Sequence, residues 1–211
     1  MLVAVAFLAL LTSAPATCTE PGKLLWGLKS NVPAHSSIEK AKLVKLSQLM
    51  ELPYPDSMPN RKLETRDRLP LIANPDGIRE GDMIRTRGWL RLIATEDNDC
   101  EYHLQLTLSD TSTQSFIIEA GKDDATSVKS KFVRGKVASV RAFIRDETNA
   151  GNEPPEGGKL LDTPQFVEVV GQLFLDSAHG KNDKRGKGGM PAATLWELHP
   201  VLVVKHAKAP P

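Results

Sequence analysis

A regular alternation of apolar and polar residues between Glu101 and Leu108 is the feature that most constrains the fold of this chain. The apolar positions, which share one side of an extended strand, are Tyr102, Leu104, Leu106 and Leu108. The polar positions on the other side are Glu101, His103, Gln105 and Thr107. A strand with a single apolar face must bury that face against other elements, so we expect a domain built mainly from β-strands.

Other segments complete the expected order of elements. Strands are predicted over Met83–Thr95, with Gly88 as a bend or bulge, and over Ser115–Ala120, Gln165–Leu175 and Leu195–Val204. Between the third and fourth strands, a 3.6-residue period predicts a helix over 123–145. The order β-β-β-α-β-β is that of the five-stranded OB barrel. A small α+β sandwich is the alternative.

The N-terminus has the pattern of a signal peptide, assigned to residues 1–16. An apolar run from Met1 to Thr12 is too short to span a bilayer and is followed by Ala14-Pro-Ala16, an A-x-A cleavage pattern. No positive residues precede the run, and a buried N-terminal helix is the alternative. Export to the periplasm or the extracellular space would allow Cys18 and Cys100 to pair, and Cys18 is also a candidate for lipid attachment.

Domain boundaries follow from composition. Residues 17–80 form an irregular, proline-rich arm with one helix over about 37–51, where Ser36 and Glu39 fit a capping box. Residues 81–204 form the barrel, and residues 205–211 form a flexible tail. The formal net charge of +1 argues against nucleic-acid binding through overall charge, although a local basic patch can still bind a polyanion.

The two closing segments carry the most distinctive motifs. They are Gly171-Gln-Leu-Phe-Leu-Asp176-Ser-Ala-His179-Gly and Trp196-Glu-Leu-His-Pro-Val201. With an acidic turn before Tyr102-His103, and Ile117-Ile-Glu119, they resemble a group of largely uncharacterised bacterial exported proteins over residues 68–204. Cys100 and Ala120-Gly121 depart from that pattern. The resemblance implies export and one compact domain, and it implies no particular reaction.

Alternation also predicts one polar patch near the end of the barrel. If the second, fourth and fifth strands approach one another, it would combine His103, Glu119, Asp176, His179, Glu197 and His199. Imidazole and carboxylate groups suit a divalent metal such as zinc or manganese. The alternative is a hydrogen-bonded network that fixes a corner of the fold.

Two basic segments are further candidates for ligand binding. In an OB barrel the loop between the fourth and fifth strands contacts ligands, and here it carries Lys181, Lys184, Arg185 and Lys187. The first strand is predicted to place Ile84, Leu90, Leu92 and Ala94 on one face, and basic and aromatic residues on the other. The latter residues are Arg85, Arg87, Trp89 and Arg91. Solvated surfaces are the alternative for both segments.

No familiar catalytic motif is present, since H-E-x-x-H, G-x-S-x-G and C-x-x-C are all missing from the sequence. The favoured prediction is therefore a non-enzymatic module that binds a polyanion, an oligonucleotide or a saccharide. One alternative is a metal-dependent hydrolase or phosphodiesterase that uses the His/Asp/Glu patch. Another is a structural envelope protein whose arm docks on a partner. The sequence predicts neither the ligand nor the oligomeric state.

Overall fold

The computed structural model describes residues 24–32, 37–96, 100–124 and 126–210. Its regular elements are α1 (Trp26–Ser30), β1 (Lys42–Leu43), α2 (Leu46–Met50), β2 (Met83–Thr95), β3 (Tyr102–Thr107), β4 (Ser115–Ala120), α3 (Lys131–Phe143), β5 (Lys159–Leu175) and β6 (Ala192–His206). A π-helical turn, Ile144–Thr148, continues α3. The predicted signal peptide, Cys18, Ser36 and the acidic turn at 97–99 lie outside the described residues.

Five of the strands in the described ranges close into a mixed barrel. Neighbouring strands follow the order β2-β3-β4-β6-β5, and β5 pairs back with β2. Strands β4 and β6 are parallel, whereas the other barrel pairs are antiparallel. With α3 between the third and fourth barrel strands, this arrangement confirms the predicted OB-like fold. Strand β1 adds a short extra strand parallel to β2.

The break in β2 lies between Leu90 and Leu92, not at the predicted Gly88. Because a register shift changes which side chains face each side, Ile93 enters the main core beyond the break. Leu92 instead packs with Met190 in a separate small cluster. The single apolar face predicted for the whole strand is therefore wrong beyond this bulge.

The predicted helix over 37–51 is wrong for most of its length, because only Leu46–Met50 is helical. Residues 42–43 form β1 instead, and their main chain pairs with β2. Leu46 and Leu49 are nevertheless buried in the main core. Pairing of residues 42–43 with β2 therefore interrupts the predicted helix, while the periodic leucines still become buried.

The predicted helix over 123–145 begins later, at Lys131. Ser130 caps it, since its Oγ accepts a hydrogen bond from the amide of Val133 at 3.3 Å. Asp124 accepts hydrogen bonds from main-chain amides in the preceding turn. The first part of the predicted helix is therefore a capped turn.

The described part of the N-terminal arm packs against the barrel and shares its core. Leu49, Leu52 and Ile78 belong to the same buried cluster as the barrel residues. Gly88 makes room for this packing, because a Cβ atom there would lie 2.7 Å from Cδ2 of Leu46. None of the helices in the described ranges combines the length and apolarity that crossing a bilayer demands.

A buried ion pair within the arm is hydrogen-bonded to the barrel. Arg66 donates to both carboxylate oxygens of Glu80, each at 2.7 Å. The amide of Leu69 in the arm donates to the same carboxylate at 2.7 Å, and the amide of Leu175 in β5 donates at 3.0 Å. Glu80 therefore has several donors around its charge, as a buried carboxylate requires.

Candidate functional site

The polar patch predicted from strand alternation exists, and it lies on the side of the sheet opposite the main core. In β6, Trp196 and Leu198 enter the core, whereas Glu197 and His199 point to the opposite side and are buried there. In β3, His103 likewise faces away from the core leucines. The pairing of β3, β4 and β6 brings these polar side chains together.

Glu119 is the centre of the cluster and contacts both histidines. Its Oε1 atom lies 3.0 Å from Nδ1 of His103, and its Oε2 atom lies 3.1 Å from Nδ1 of His199. On the other side of the His199 ring, Nε2 lies 3.0 Å from Oε1 of Glu101. Nε2 of His103 lies 3.3 Å from the side-chain oxygen of Gln105.

Each histidine therefore presents both ring nitrogens to oxygen acceptors, an arrangement that suits the doubly protonated ring. Burial opposes charge on His199, but the charge of Glu101 and the hydrogen bonds that the ring donates to both glutamates raise its pKa well above the ordinary value. For His103, burial is likewise outweighed by the hydrogen bond and charge of Glu119, and the pKa is raised. Burial would raise the pKa of Glu119, yet Lys29 and the two histidines hold it well below normal.

Arg185, predicted as a surface loop base, is a buried member of the same cluster. Its Nη2 atom donates to Glu197 Oε2 at 2.7 Å and lies 2.9 Å from Oδ2 of Asp176. Only 7% of its side chain is exposed. Its Nη1 atom is buried and has no hydrogen-bond partner among the described residues.

Lys29 is a site residue that the sequence does not indicate. Helix α1 places its Nζ atom 3.3 Å from Glu101 and 3.6 Å from Glu119. Trp26, one turn earlier, donates to the carbonyl of Ser127 at 2.6 Å and so holds this helix in place. Burial lowers the pKa of Lys29, but the surrounding carboxylates raise it well above its ordinary value.

The buried charges of the cluster balance when both histidines are protonated. The four carboxylates are Glu101, Glu119, Asp176 and Glu197. The four cations are Lys29, His103, Arg185 and His199.

A cavity of about 300 Å³ opens beside the cluster. Its lining includes Glu96, His103, Glu119, Asp176, His179, Lys184 and Arg185. His179 lies at the rim, with 45% of its side chain exposed, 3.5 Å from Asp176. The cluster therefore has a deep, buried part and a part that borders open space.

Two sets of three side chains have a geometry that suits a metal ion, and both use Glu119. Glu96, His103 and Glu119 form the first set, and Glu101, Glu119 and His199 form the second. In each set the ligand atoms lie within 4.8 Å of one another. The first set lines the cavity, whereas His199 in the second is buried at 1% exposure. Glu96 and Glu101 were not among the predicted ligands.

The remaining lysines of the 180–189 loop do not form one continuous basic surface. Lys187 contacts the carbonyl of Glu156 at 2.9 Å and the carboxylate of Glu96 at 3.2 Å. Lys181 lies over the ring of Tyr54, 5.3 Å from its centre. Lys184 is exposed and lines the cavity, so it is the loop lysine best placed to meet a ligand there.

The arginines of the predicted basic face of β2 are held by contacts within the chain. Arg85 and Arg87 both pair with Glu168, each at 2.7 Å. Burial would raise the pKa of Glu168, but hydrogen bonds from its basic neighbours lower it to about 2. Trp89 packs edge-on against Phe166 of β5, with ring centres 5.4 Å apart.

Arg91, the last residue of that predicted face, donates to the carbonyl of Ser112 at 3.1 Å. The face is therefore engaged in contacts within the chain along its length.

Fold and site together define a small OB-like barrel with a buried carboxylate–histidine cluster beside a polar cavity. No family model, no curated protein and no solved structure matches this chain.

Proposed function

We propose that this chain is an exported ligand-binding module whose site is the cavity beside Glu119. A divalent cation held by Glu96, His103 and Glu119 would bind a small anionic ligand there. The observation that carries the proposal is that these three side chains, with ligand atoms within 4.8 Å of one another, also line the cavity. Export rests on the sequence pattern of residues 1–16 and on the resemblance to exported bacterial proteins.

The chemistry of the donors supports a transition metal. Carboxylate oxygens combined with imidazole nitrogens suit zinc or manganese.

The contacts of the loop favour a small ligand over a long polyanion. Arg185 is buried against Asp176 and Glu197, and Lys187 is paired with Glu96. Arg185 cannot leave its partners to follow a phosphate backbone without exposing buried charge. Lys184 and a cation in the cavity would instead provide two positive contacts for one compact anion.

Metal binding is tested by titrating the purified protein with Zn²⁺ and Mn²⁺ in a calorimeter. Glu96→Gln removes one ligand at the rim, where 34% of the side chain is exposed, so the variant is expected to fold. We expect its metal affinity to fall by about tenfold or more, since loss of one ligand or its support typically costs 10–100-fold.

The matched control is Glu156→Gln, which neutralises an exposed carboxylate in the neighbouring loop. The control should bind metal as the parent protein does. A parent protein without measurable metal affinity, or equal losses in the two variants, would contradict the proposal.

A metal-dependent hydrolase is the second candidate function. The first ligand set has three protein ligands beside a cavity, which is the composition of catalytic zinc sites that keep a fourth position for water or substrate. Bound zinc lowers the pKa of water and can supply a nucleophile near neutral pH. Lys184 at the cavity would then orient an anionic substrate such as a phosphodiester.

The two functions are separated by incubating the metal-loaded protein with a chromogenic phosphodiester. Hydrolysis that is lost in Glu96→Gln and kept in Glu156→Gln would identify an enzyme. Metal binding without hydrolysis would leave the binding module as the function.

A further inference from the structure

A second cavity, of about 410 Å³, lies between the arm and the start of β2 and shares no lining residue with the cavity beside Glu119. Its charged lining residues are Lys40, Lys42, Arg68, Arg79, Glu80 and Asp82. Four basic groups thus face two acidic groups, and the acidic groups are already occupied by contacts within the chain.

Glu80 offers no free charge to this cavity. Its side chain is fully buried, and Arg66, which is not part of the lining, binds both of its oxygens. Asp82 is also engaged, since Lys42 lies 2.7 Å from one of its oxygens and Arg79 lies 3.6 Å from the other.

Lys40 and Arg68 are therefore the cations of the cavity that have no carboxylate partner among the described residues. The Nη2 atom of Arg68 donates to the carbonyls of Leu28 at 3.3 Å and Asn31 at 2.9 Å. Its Nη1 atom is buried and lacks a hydrogen-bond partner in the described ranges. The lining therefore has a net positive charge that the ion pairs within it do not neutralise.

Gly81 leaves room for the Arg68 side chain at the wall of the cavity. A Cβ atom at Gly81 would lie 2.8 Å from Cδ of Arg68, and Gly81 has a φ of +92°. The hydrogen bonds from Arg68 to the two main-chain carbonyls hold the guanidinium in place before any ligand arrives, which reduces the entropic cost of binding. Burial lowers the pKa of Arg68, which agrees with a charge that is incompletely compensated.

We infer that this second cavity is an anion site that binds the phosphate group of a small phosphorylated molecule through Arg68 and Lys40. A planar guanidinium matches the oxygens of a phosphate group, and an adjacent ammonium adds a point charge. The volume of the cavity suits a ligand larger than the phosphate itself. This inference is independent of the proposed metal site.

The test is a calorimetric titration of the full chain with inorganic phosphate at constant ionic strength, with chloride as the comparison ion. Lys40→Met is the main variant, because Lys40 is exposed and its loss should leave the fold intact. We expect it to weaken phosphate binding by about tenfold, the loss expected for one charge-assisted contact.

Lys62→Met is the matched control, since Lys62 is an exposed lysine of the same arm and lies outside the cavity lining. It should bind phosphate as the parent chain does. The inference is overturned if phosphate binds no better than chloride, or if Lys40→Met and Lys62→Met weaken binding equally. Metal titrations of Lys40→Met should be unchanged, so a failure at this cavity is distinct from a failure of the proposed function.

Discussion

Nδ1 of His199 lies 3.1 Å from Oε2 of Glu119, although 80 positions separate the two residues in the sequence. The parallel pairing of β4 with β6 creates this contact by aligning Ile118 with Leu198. Two short motifs, Ile117-Ile-Glu119 and the Glu-Leu-His-Pro segment of β6, thus form one cluster. The following predictions test its electrostatics and its framework.

Metal affinity should rise with pH. The pKa of His103, the histidine of the proposed metal site, is raised, so below that pKa a metal ion must displace a proton from the ring it binds. For each proton displaced, the metal affinity should increase about tenfold per pH unit as the pH rises toward the histidine pKa. Calorimetry at pH 6, 7 and 8, in buffers of different ionisation enthalpy, measures both the affinity and the protons released. An affinity that is constant over this range would contradict displacement of this proton.

Lys29→Met should destabilise the protein and strengthen metal binding. The substitution removes one of the cations that compensate Glu101 and Glu119, and removing one partner of a buried ion pair is strongly destabilising. We expect a loss of about 2 kcal/mol, because part of Lys29 still reaches solvent. Urea unfolding with and without Zn²⁺ measures both effects. Lys131→Met, on the exposed start of α3, is the control and should change neither.

Glu168→Gln should reduce stability at neutral pH and remove part of the acid sensitivity. The folded-state pKa of Glu168 is about 2, below its unfolded value, so its contribution is present above the unfolded pKa and is lost as pH falls toward 2. We expect roughly 1–2 kcal/mol at pH 7, since Arg87 and Lys205 are more than half exposed and solvent screens them.

Denaturant unfolding at several pH values between 2 and 7 checks this prediction. The difference in free energy of unfolding between the parent and Glu168→Gln should be largest at pH 7 and shrink on acidification. A difference that stays constant with pH would show that the carboxylate charge is not responsible.

Gly171→Ala should destabilise the closing part of the barrel. A Cβ atom at Gly171 would lie 2.9 Å from Cβ of Leu198 and 3.1 Å from the carbonyl oxygen of Pro200. Overpacking of this kind costs about 1–3 kcal/mol. Gly157→Ala is the control, because nothing lies within 4 Å of the added atom there. Thermal unfolding should show a lower midpoint for the first variant alone.

Alternation predicted the patch because the period of a strand determines which side chains share a face. His103, Glu119, Glu197 and His199 converge as expected. Where β2 is bulged, the same rule failed, since a register shift depends on pairing with β3 and β5. The sequence of a strand shows the alternation of its side chains. It does not show where pairing with a neighbouring strand introduces a bulge.

Lys29 and Arg185 show why the charges of the site could not be assigned from sequence. Both look like ordinary surface bases, one in an irregular lead-in and the other in a polar loop. Their burial against Glu101 and Glu197 depends on how α1 and the loop fold over the sheet. Such long-range placement leaves no local periodic signal, whereas an apolar face does.

The long separation between β4 and β6 also bears on how the site comes into existence. Contacts between residues distant in sequence require the closure of large loops and slow the folding of β-rich domains. Glu119 meets His199 only after 80 further residues have been added to the chain. A growing or truncated chain that ends before β6 therefore lacks Glu197 and His199, and it also lacks the strand that joins β4 to β5 in the closed barrel.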